Sequence, residues 1–526
     1  MKKVKLPVSK SLYIRKLVCD FLNRHQLDEV GVDFPADVRI VRACLARIAE
    51  AESERNETEN PVCIDVRDCG AAYRFLMAVL AVTPGSWILT GTPRLMQRPI
   101  EELVEALCSI GAEIQRCPCK DAINRVSNGG GVYPCLDIRP CVSTDNSASS
   151  DRDAMHCVST NDMLIPNEDG ARPVSANENG GGWLIHGKPL HAPELTIDCT
   201  RSGQFATALL LIADTIGLQK LHVLPENPTS AAYIAMTRAV ISGEVDLAPQ
   251  RLGDWSAAVY WYAYLLLSQQ NCDEKRRKDT SIDGAVSSNI MAVPSSYKLL
   301  NLDLSSIQSD AVVAHWFSQW GVVSRQEEDG VVIEYDEDVD IQNDMFESDE
   351  SGNGREDNDQ DDTIVLDMSQ NLDLVPVLAC MACLWPKKMV FNGVANLKYK
   401  ESNRLKVIQE ELSKFAEIEL NAYDRIDDNQ LVINPICCRD GACPVSDDGV
   451  VYPYGDGARP VSTNENCSNK SPIVFSFDAH NDHRFVMGFS LFALKGKVQI
   501  KGFDCVRKSY PDFKAEGVVA GTDVVG

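Results

Sequence analysis

Eight cations in this chain stand at or near places where the sequence turns from a strand pattern to a helix pattern: Lys10, Arg15, Arg74, Arg98, Lys400, Arg404, Arg484 and Lys508. A guanidinium presents paired N–H donors that match carboxylate and phosphate oxygens, and the free N–H groups of a helix start favour the same anions. One cation at one helix start is ordinary solvated surface. The same charge returning at equivalent places along the chain points to a small ligand with several negative charges. Metal chemistry finds no such support. Cys117 with Cys119, and Cys437 with Cys438, have spacings unsuited to a four-ligand zinc site.

The elements that would position these cations recur. In PIEELVEALCSIGAEI, Pro99 stands at a helix start, and Leu103, Ala106, Leu107 and Ile110 fall on one face. A β-rich run leading through a polar loop into an amphipathic helix appears at 87–114, 221–241, 300–323 and 389–420. The recurrence spans both halves of the chain. It predicts an α/β fold of repeated βα units in two similar lobes, with the cations gathered between them.

Between the compact stretches lies text of another kind, polar, rich in Gly, Asn and Ser, and aperiodic, at about 116–182, 271–291, 336–362 and 437–471. Such text buries too little apolar area to offset its ordering entropy and is read as disordered insertions. It also repeats itself. DGARPVSANEN at 169–179 returns as DGARPVSTNEN at 456–466, and CVST occurs at 141–144 and 157–160. The copies are too few and too irregular for a solenoid. They read as a short repetitive element translated into surface loops, with binding loops as the alternative; full activity after their removal would favour the first.

A chain of 526 residues can bury two or more cores. It contains no run of about 18 apolar residues, so no membrane span is expected. The start, MKKVKLPVSKSLYIRK, lacks a signal-peptide core, and the expected compartment is the cytoplasm. Without a secretion signal the nineteen cysteines are not read as disulfides. The net charge of −25 discourages nucleic-acid binding, but much of it is local: between 327 and 362 stand seventeen acidic residues against one base, Arg355.

The compact text resembles the 5-enolpyruvylshikimate-3-phosphate (EPSP) synthase family. The resemblance rests on PVSKSLYIR (7–15), DCGAAYRF (68–75), LTGTPRLMQRPI (89–100) and DCTRSGQFATALLL (198–211). It continues through TSAAYI (229–234), LDMSQNLDLVPVLA (366–379), NLKYKESNRL (396–405), NDHRF (481–485) and RKSYPDF (507–513), in the family's order. No one motif is decisive; the ordered set is.

The resemblance implies two lobes of βαβαββ units, an inside-out α/β barrel. Residues 9–251 would form one lobe, and 1–8 with 252–526 the other. It implies an addition–elimination between two small molecules, phosphoenolpyruvate and shikimate 3-phosphate, without metal or organic cofactor, by a monomer with no nucleic-acid or membrane partner. Lys10, Gly70, Arg98, Gln204, Arg404, Arg484 and Lys508 would bind phosphoenolpyruvate. Ser11, Arg15, Ser202, Gln204, Ser230, Tyr233, Asp373, Asn396 and Lys400 would bind shikimate 3-phosphate. Asp373 would take the hydroxyl proton, Glu401 or Lys508 would protonate C3, and Lys10 would assist. Closure would bring Lys10 and Arg98 towards Asp373 and Glu401.

Read singly, these residues have plainer roles. Asp373 is also a candidate helix N-cap, Glu401 with Arg404 a surface i,i+3 pair, Ser202 and Ser230 turn residues, Tyr233 a core ring, and His483 an orienting group.

The match has departures. Gly203 stands where the family usually has a second Ser, Asn403 where it has an acid, and Asp68, Cys69, Ala71 and Phe75 alter the pattern around Gly70. Ala71 and Phe75 lie beside the pocket that glyphosate occupies in the family, and weakened glyphosate sensitivity is expected. The chain begins almost at its first motif, so one lobe is expected to lack an edge strand, and the tail KAEGVVAGTDVVG replaces a helical ending. Two rival readings are a UDP-N-acetylglucosamine enolpyruvyl transferase and a non-catalytic decayed homologue. The first usually has Lys-Asn at the position of Lys10-Ser11 and a loop cysteine, which the loop from Arg94 to Arg98 lacks. The second conflicts with the intact set of Asp373, Glu401 and Lys508.

Overall fold

A computed structural model describes residues 1–53, 61–117, 181–226, 228–229, 231–279, 294–339, 363–421, 430–436, 474–514 and 518–520. The repeat-bearing segments lie almost wholly outside these residues.

The chain opens with β1 (Lys2–Lys5), α1 (Lys10–Leu22) and α2 (Ala36–Ser53). Then come β2 (Val62–Asp65), α3 (Gly70–Val82), β3 (Gly85–Thr90), α4 (Glu101–Ser109), β4 (Glu113–Cys117) and β5 (Gly182–Gly187). A shorter unit follows: β6 (Glu194–Asp198), α5 (Gln204–Leu211), β7 (Lys220–Leu224) and α6 (Ala231–Ile241). The next unit is α7 (Trp255–Asp279), β8 (Ser296–Leu300), α8 (Val312–Ser318), β9 (Val322–Glu327) and β10 (Gly330–Tyr335). After it stand β11 (Thr363–Asp367), α9 (Val375–Leu384), β12 (Lys388–Asn392), α10 (Arg404–Leu412), β13 (Ala416–Asn421) and β14 (Gln430–Pro435). The last unit is β15 (Val474–Asp478), α11 (His483–Ser490), β16 (Lys497–Lys501) and β17 (Val518–Ala520).

Three sheets share one plan. Their orders are β2-β3-β5-β4, β1-β8-β10-β9 and β11-β12-β14-β13. In each, the first two strands are parallel and the remaining pairings antiparallel. A helix must carry the chain between parallel neighbours, whereas a hairpin suffices for the last pair, and that is the βαβαββ unit. Among the described residues each sheet stays open, and none closes into a barrel.

Among the described residues two large cores hold the units, with a small third cluster of Ile88, Cys117 and Leu184. One gathers buried side chains from Val8 to Leu252, the other Val4, Leu6 and Trp255 through Phe513. Helices α3 and α9 are nearly apolar all round and bury almost every residue, as central helices with packing on all sides must. The chain crosses between cores twice, and the crossings are bonded to each other. Ser9 N donates to Leu252 O at 2.6 Å, and Asp254 N to Pro7 O at 2.9 Å. Gly253 lets the second crossing pack against the end of β8: a Cβ there would lie 2.7 Å from Asn301 O.

Two expectations need correction. The N-terminal edge is not missing, because Lys2–Lys5 pairs in parallel with β8 through the register Val4↔Leu299. The polar text expected from 271 onwards begins as helix, since α7 runs to Asp279. In the tail, expected to replace a helical ending, Val518–Ala520 is a strand paired in parallel with β16. No helix among the described residues is long and apolar enough to cross a membrane.

Candidate active site

Arg404 gathers three carboxylates of its own lobe, one of which, Glu401, also meets Arg98 of the other. It is the first residue of α10, whose start is capped by Asn403 accepting from Lys406 N at 3.3 Å. Asparagine, standing where the family has an acid, thus serves as an N-cap. The guanidinium is fully buried and reaches three carboxylates. Nε donates to Asp482 Oδ2 at 2.8 Å, NH1 to Asp373 Oδ1 at 2.9 Å, and NH2 to Glu401 Oε2 at 3.1 Å. Asp482 also caps α11 by accepting from Arg484 N at 3.1 Å. One helix start therefore fixes two arginines.

Around this centre the sequence-derived residues converge from both lobes. Lys400 Nζ donates to Asp373 Oδ1 at 3.1 Å, and Arg484 NH2 lies 3.9 Å from Asp373 Oδ2. From the other lobe, Arg98 NH1 lies 3.9 Å from Glu401 Oε1, and Lys10 Nζ lies 3.4 Å from His483 Nε2 and 3.1 Å from Asp37 Oδ2. Lys508 crosses the other way, donating to Asp68 Oδ2 at 2.9 Å and Asp68 O at 2.8 Å. Gly70 is the gap through which Arg98 reaches the cleft. Arg74 donates to Gln204 Oε1 at 2.7 Å and to Pro99 O at 3.0 Å, tying α3, α4 and α5 together behind Arg98.

The remaining candidates lie at the margins of this cluster. Arg15 is buried within its lobe, donating to Thr237 Oγ1 at 2.8 Å and Tyr233 O at 3.3 Å, with its head 5.4 Å from the Phe75 ring centre and 6.0 Å from that of Tyr233. Ser11, one turn earlier, offers its carbonyl to Arg15 NH1 at 2.5 Å. Ser202 has a turn role, its Oγ accepting from Gln204 N at 3.3 Å. Asn396 bridges the lobes through Thr200 O at 2.9 Å. Ser230 lies outside the described residues.

The charges in the cluster reshape one another. Burial pushes the Asp373 carboxyl up, but Lys400, Arg404 and Arg484 together outweigh it and hold Asp373 well below the usual carboxylate range. For Glu401 burial again acts upwards and is overcome by Arg404, Arg98, Lys10 and Lys508. Burial would lower Lys508, yet Asp37, Glu401 and Asp68 raise it above an ordinary lysine. His483 is held well below its usual value by burial and then by Lys10 and Arg484, so its ring is neutral. Burial, then neighbouring Arg98, pushes Arg74 down to about 9, and burial pushes Arg15 down to about 10. Both of those guanidiniums would gain from a bound anion.

Several donors in the cleft are buried without a hydrogen-bond partner: Arg98 Nε, Arg484 Nε and Arg484 NH1. An unpaired buried donor on a charged group is costly, and the oxygens of an anion would satisfy these three. Among the described residues no group of three or more His, Cys, Asp or Glu could hold a metal ion. Sequence reading missed Asp37, Asp254 and Asp310. Asp37 and Asp254 stand at helix starts, where an acid reads as a dipole partner or cap; Asp254 Oδ1 does accept from Ser256 N at 3.1 Å.

Basic and acidic side chains from the two cores thus meet in one buried cluster, an arrangement suited to small, multiply charged anions. Comparison with known proteins narrows the class. Residues 39–132 and 461–516 match the sequence model of the family described as EPSP synthase (3-phosphoshikimate 1-carboxyvinyltransferase), stretches that contain Gly70, Arg98, Arg484 and Lys508. A protein of Bacteroides fragilis named 3-phosphoshikimate 1-carboxyvinyltransferase is 25% identical over 97% of this chain and 93% of its own length. Proteins of the same name from Syntrophobacter fumaroxidans (23% identical, 89% of this chain and 81% of the relative) and Pyrococcus abyssi (22%, 97% and 93%) also match. A solved EPSP synthase from Acinetobacter baumannii aligns over 97% of this chain and 93% of its own, with TM-score 0.47 and 14% identity. The chain is thus similar over most of its length to proteins named as EPSP synthases, and in two stretches to the sequence model of that family.

Proposed function

We propose that this chain transfers the enolpyruvyl group of phosphoenolpyruvate to the 5-hydroxyl of shikimate 3-phosphate and releases phosphate. The observation that carries the reading is the set of orphaned guanidinium donors on Arg98 and Arg484, buried in a cleft beside Asp373 and Glu401. A carboxylate and a phosphate would satisfy those donors, and holding both reactants there removes an entropic barrier.

The residues divide the work. Lys10, Arg98, Arg404, Arg484 and Lys508 bind phosphoenolpyruvate, with Gly70 leaving room for Arg98 and Gln204 placed by Arg74. Ser11, Arg15, Ser202, Gln204, Ser230, Tyr233, Asn396 and Lys400 bind shikimate 3-phosphate. Asp373 is ionised and accepts the 5-hydroxyl proton as that oxygen attacks C2. C3 takes a proton in the same addition. The C2–O bond to phosphate then breaks, C3 gives up a proton, and the enol ether forms. Phosphate is a good leaving group once its charge is neutralised, so the cations carry most of the barrier reduction.

Between the two candidates for the acid, the electrostatics favour Glu401. Lys508 is raised by three acids and keeps its proton. Glu401 is depressed by cations that phosphoenolpyruvate would occupy, so substrate binding itself lifts its affinity for a proton. The protein works as a cytoplasmic monomer. The test is phosphate release from phosphoenolpyruvate and shikimate 3-phosphate by the purified chain, with UDP-N-acetylglucosamine as rival acceptor. Release with shikimate 3-phosphate alone is expected. Release only with the amino-sugar nucleotide, or with neither, overturns the reading.

A further inference from the structure

The turn that carries Asp373 is held from both sides of the cleft. Within it, Asn371 N donates to Met368 O at 2.9 Å and Leu374 N to Asn371 O at 3.0 Å. From its own lobe, Ser309 Oγ donates to Gln370 O at 3.1 Å, and Asp310 Oδ1 accepts from Asn371 Nδ2 at 3.0 Å. The other Asp310 oxygen accepts from the Ser256 hydroxyl at the start of α7. From the opposite lobe, Ala232 N donates to Gln370 Oε1 at 2.8 Å, and Gln370 Nε2 reaches Pro228 O at 3.5 Å.

We propose that Gln370 is a positioning residue that ties the placement of Asp373 to closure of the lobes. The inference rests on the transfer reading above. Ala232 N belongs to the first turn of α6, where a helix cannot satisfy its own donors. Gln370 supplies that donor with an acceptor only while the lobes meet. When they part, the helix start loses its acceptor, and the turn keeps only its bonds to Ser309 and Asp310. Tyr233, beside Ala232 in sequence, shares the helix start with this contact. Seating of the substrate-binding helix and placement of the base, three residues beyond Gln370, are thereby joined through one side chain.

The test uses the full chain with Gln370→Ala and Gln370→Glu, since a glutamate keeps an oxygen for Ala232 N. Gln370→Ala is expected to lower kcat about tenfold, because misplacing a reacting group by a fraction of an ångström is costly, with the KM for phosphoenolpyruvate changed by less than about twofold. Gln370→Glu should recover most of kcat. Hydrogen exchange at the Ala232 amide should speed up in Gln370→Ala and not in Gln370→Glu. A kcat unchanged in Gln370→Ala beside an active wild type, a glutamate no better than alanine, or unchanged exchange at Ala232 overturns this inference alone. A wild type that releases no phosphate overturns the transfer reading instead, and with it the link to Asp373.

Discussion

A methyl group at Gly70 would lie 2.4 Å from the NH1 of Arg98 and 3.3 Å from the NH1 of Arg74. Glycine opens α3 because the head of Arg98 passes over that position on its way to Glu401. Gly70→Ala should therefore displace the Arg98 head without unfolding α3, since the far end of a long side chain can give way. The KM for phosphoenolpyruvate is expected to rise by about three- to tenfold, roughly the loss of one weakened charged contact, with that for shikimate 3-phosphate nearly unchanged. Steady-state kinetics with each substrate varied in turn would check this.

Arg404 holds Asp482, Asp373 and Glu401 at once. Arg404→Met would leave these carboxylates without their shared cation and should cost about 3–5 kcal/mol of stability, read by chemical denaturation. Arg404→Lys retains the charge but not the fork, and one ammonium cannot serve three carboxylates in different directions. It should be more stable than the methionine variant and still lose most of kcat.

Asp310 differs from the other acids of the cleft. Burial and then the neighbouring Asp373 charge push it up to about 6, against hydrogen bonds from Ser256 and Asn371 and the Arg484 charge. A carboxyl raised in the folded state contributes stability that is fully present below its unfolded pKa near 4 and is lost as pH rises through about 6. Asp310→Asn has no such dependence. Relative to wild type, the variant should gain stability between pH 4 and pH 7, by on the order of 3 kcal/mol at most. Denaturation curves of both proteins at pH 4.5 and pH 7.5 (~3 units apart) measure the difference. A gap that does not change with pH would contradict the assignment.

Ala71 adjoins Gly70, and the Phe75 ring packs 5.4 Å from the Arg15 guanidinium. Both alter the wall expected to meet glyphosate. Inhibition by glyphosate, competed against phosphoenolpyruvate, should be weaker than in a sensitive relative, and an inhibition constant matching the sensitive enzyme would contradict this.

Motif order made much of the cleft legible in the sequence. Lys10, Arg98, Asp373, Glu401, Arg404, Arg484 and Lys508 could each be named because their neighbours follow a family pattern. Their acidic partners were harder to read. Asp37 lies in the first turn of α2 and Asp254 precedes α7, places where an acid already has a local reason to be. Only the packing of distant units reveals that Asp37 meets Lys10 and that Asp254 lies 3.7 Å from Arg484. The four residues of β1 were missed for another reason. KKVK has one buried position, Val4, and too little alternation to declare a strand until β8 supplies the partner.

The paired crossings at 7–9 and 252–254 make the first lobe topologically an insert within the second. A single backbone cut at either crossing would leave the two bodies tethered by the other strand, so a nicked chain keeps its halves at high local concentration. The same geometry makes the first lobe a cassette: its entry and exit lie side by side, and it could be exchanged for a relative's without rerouting the rest of the polypeptide.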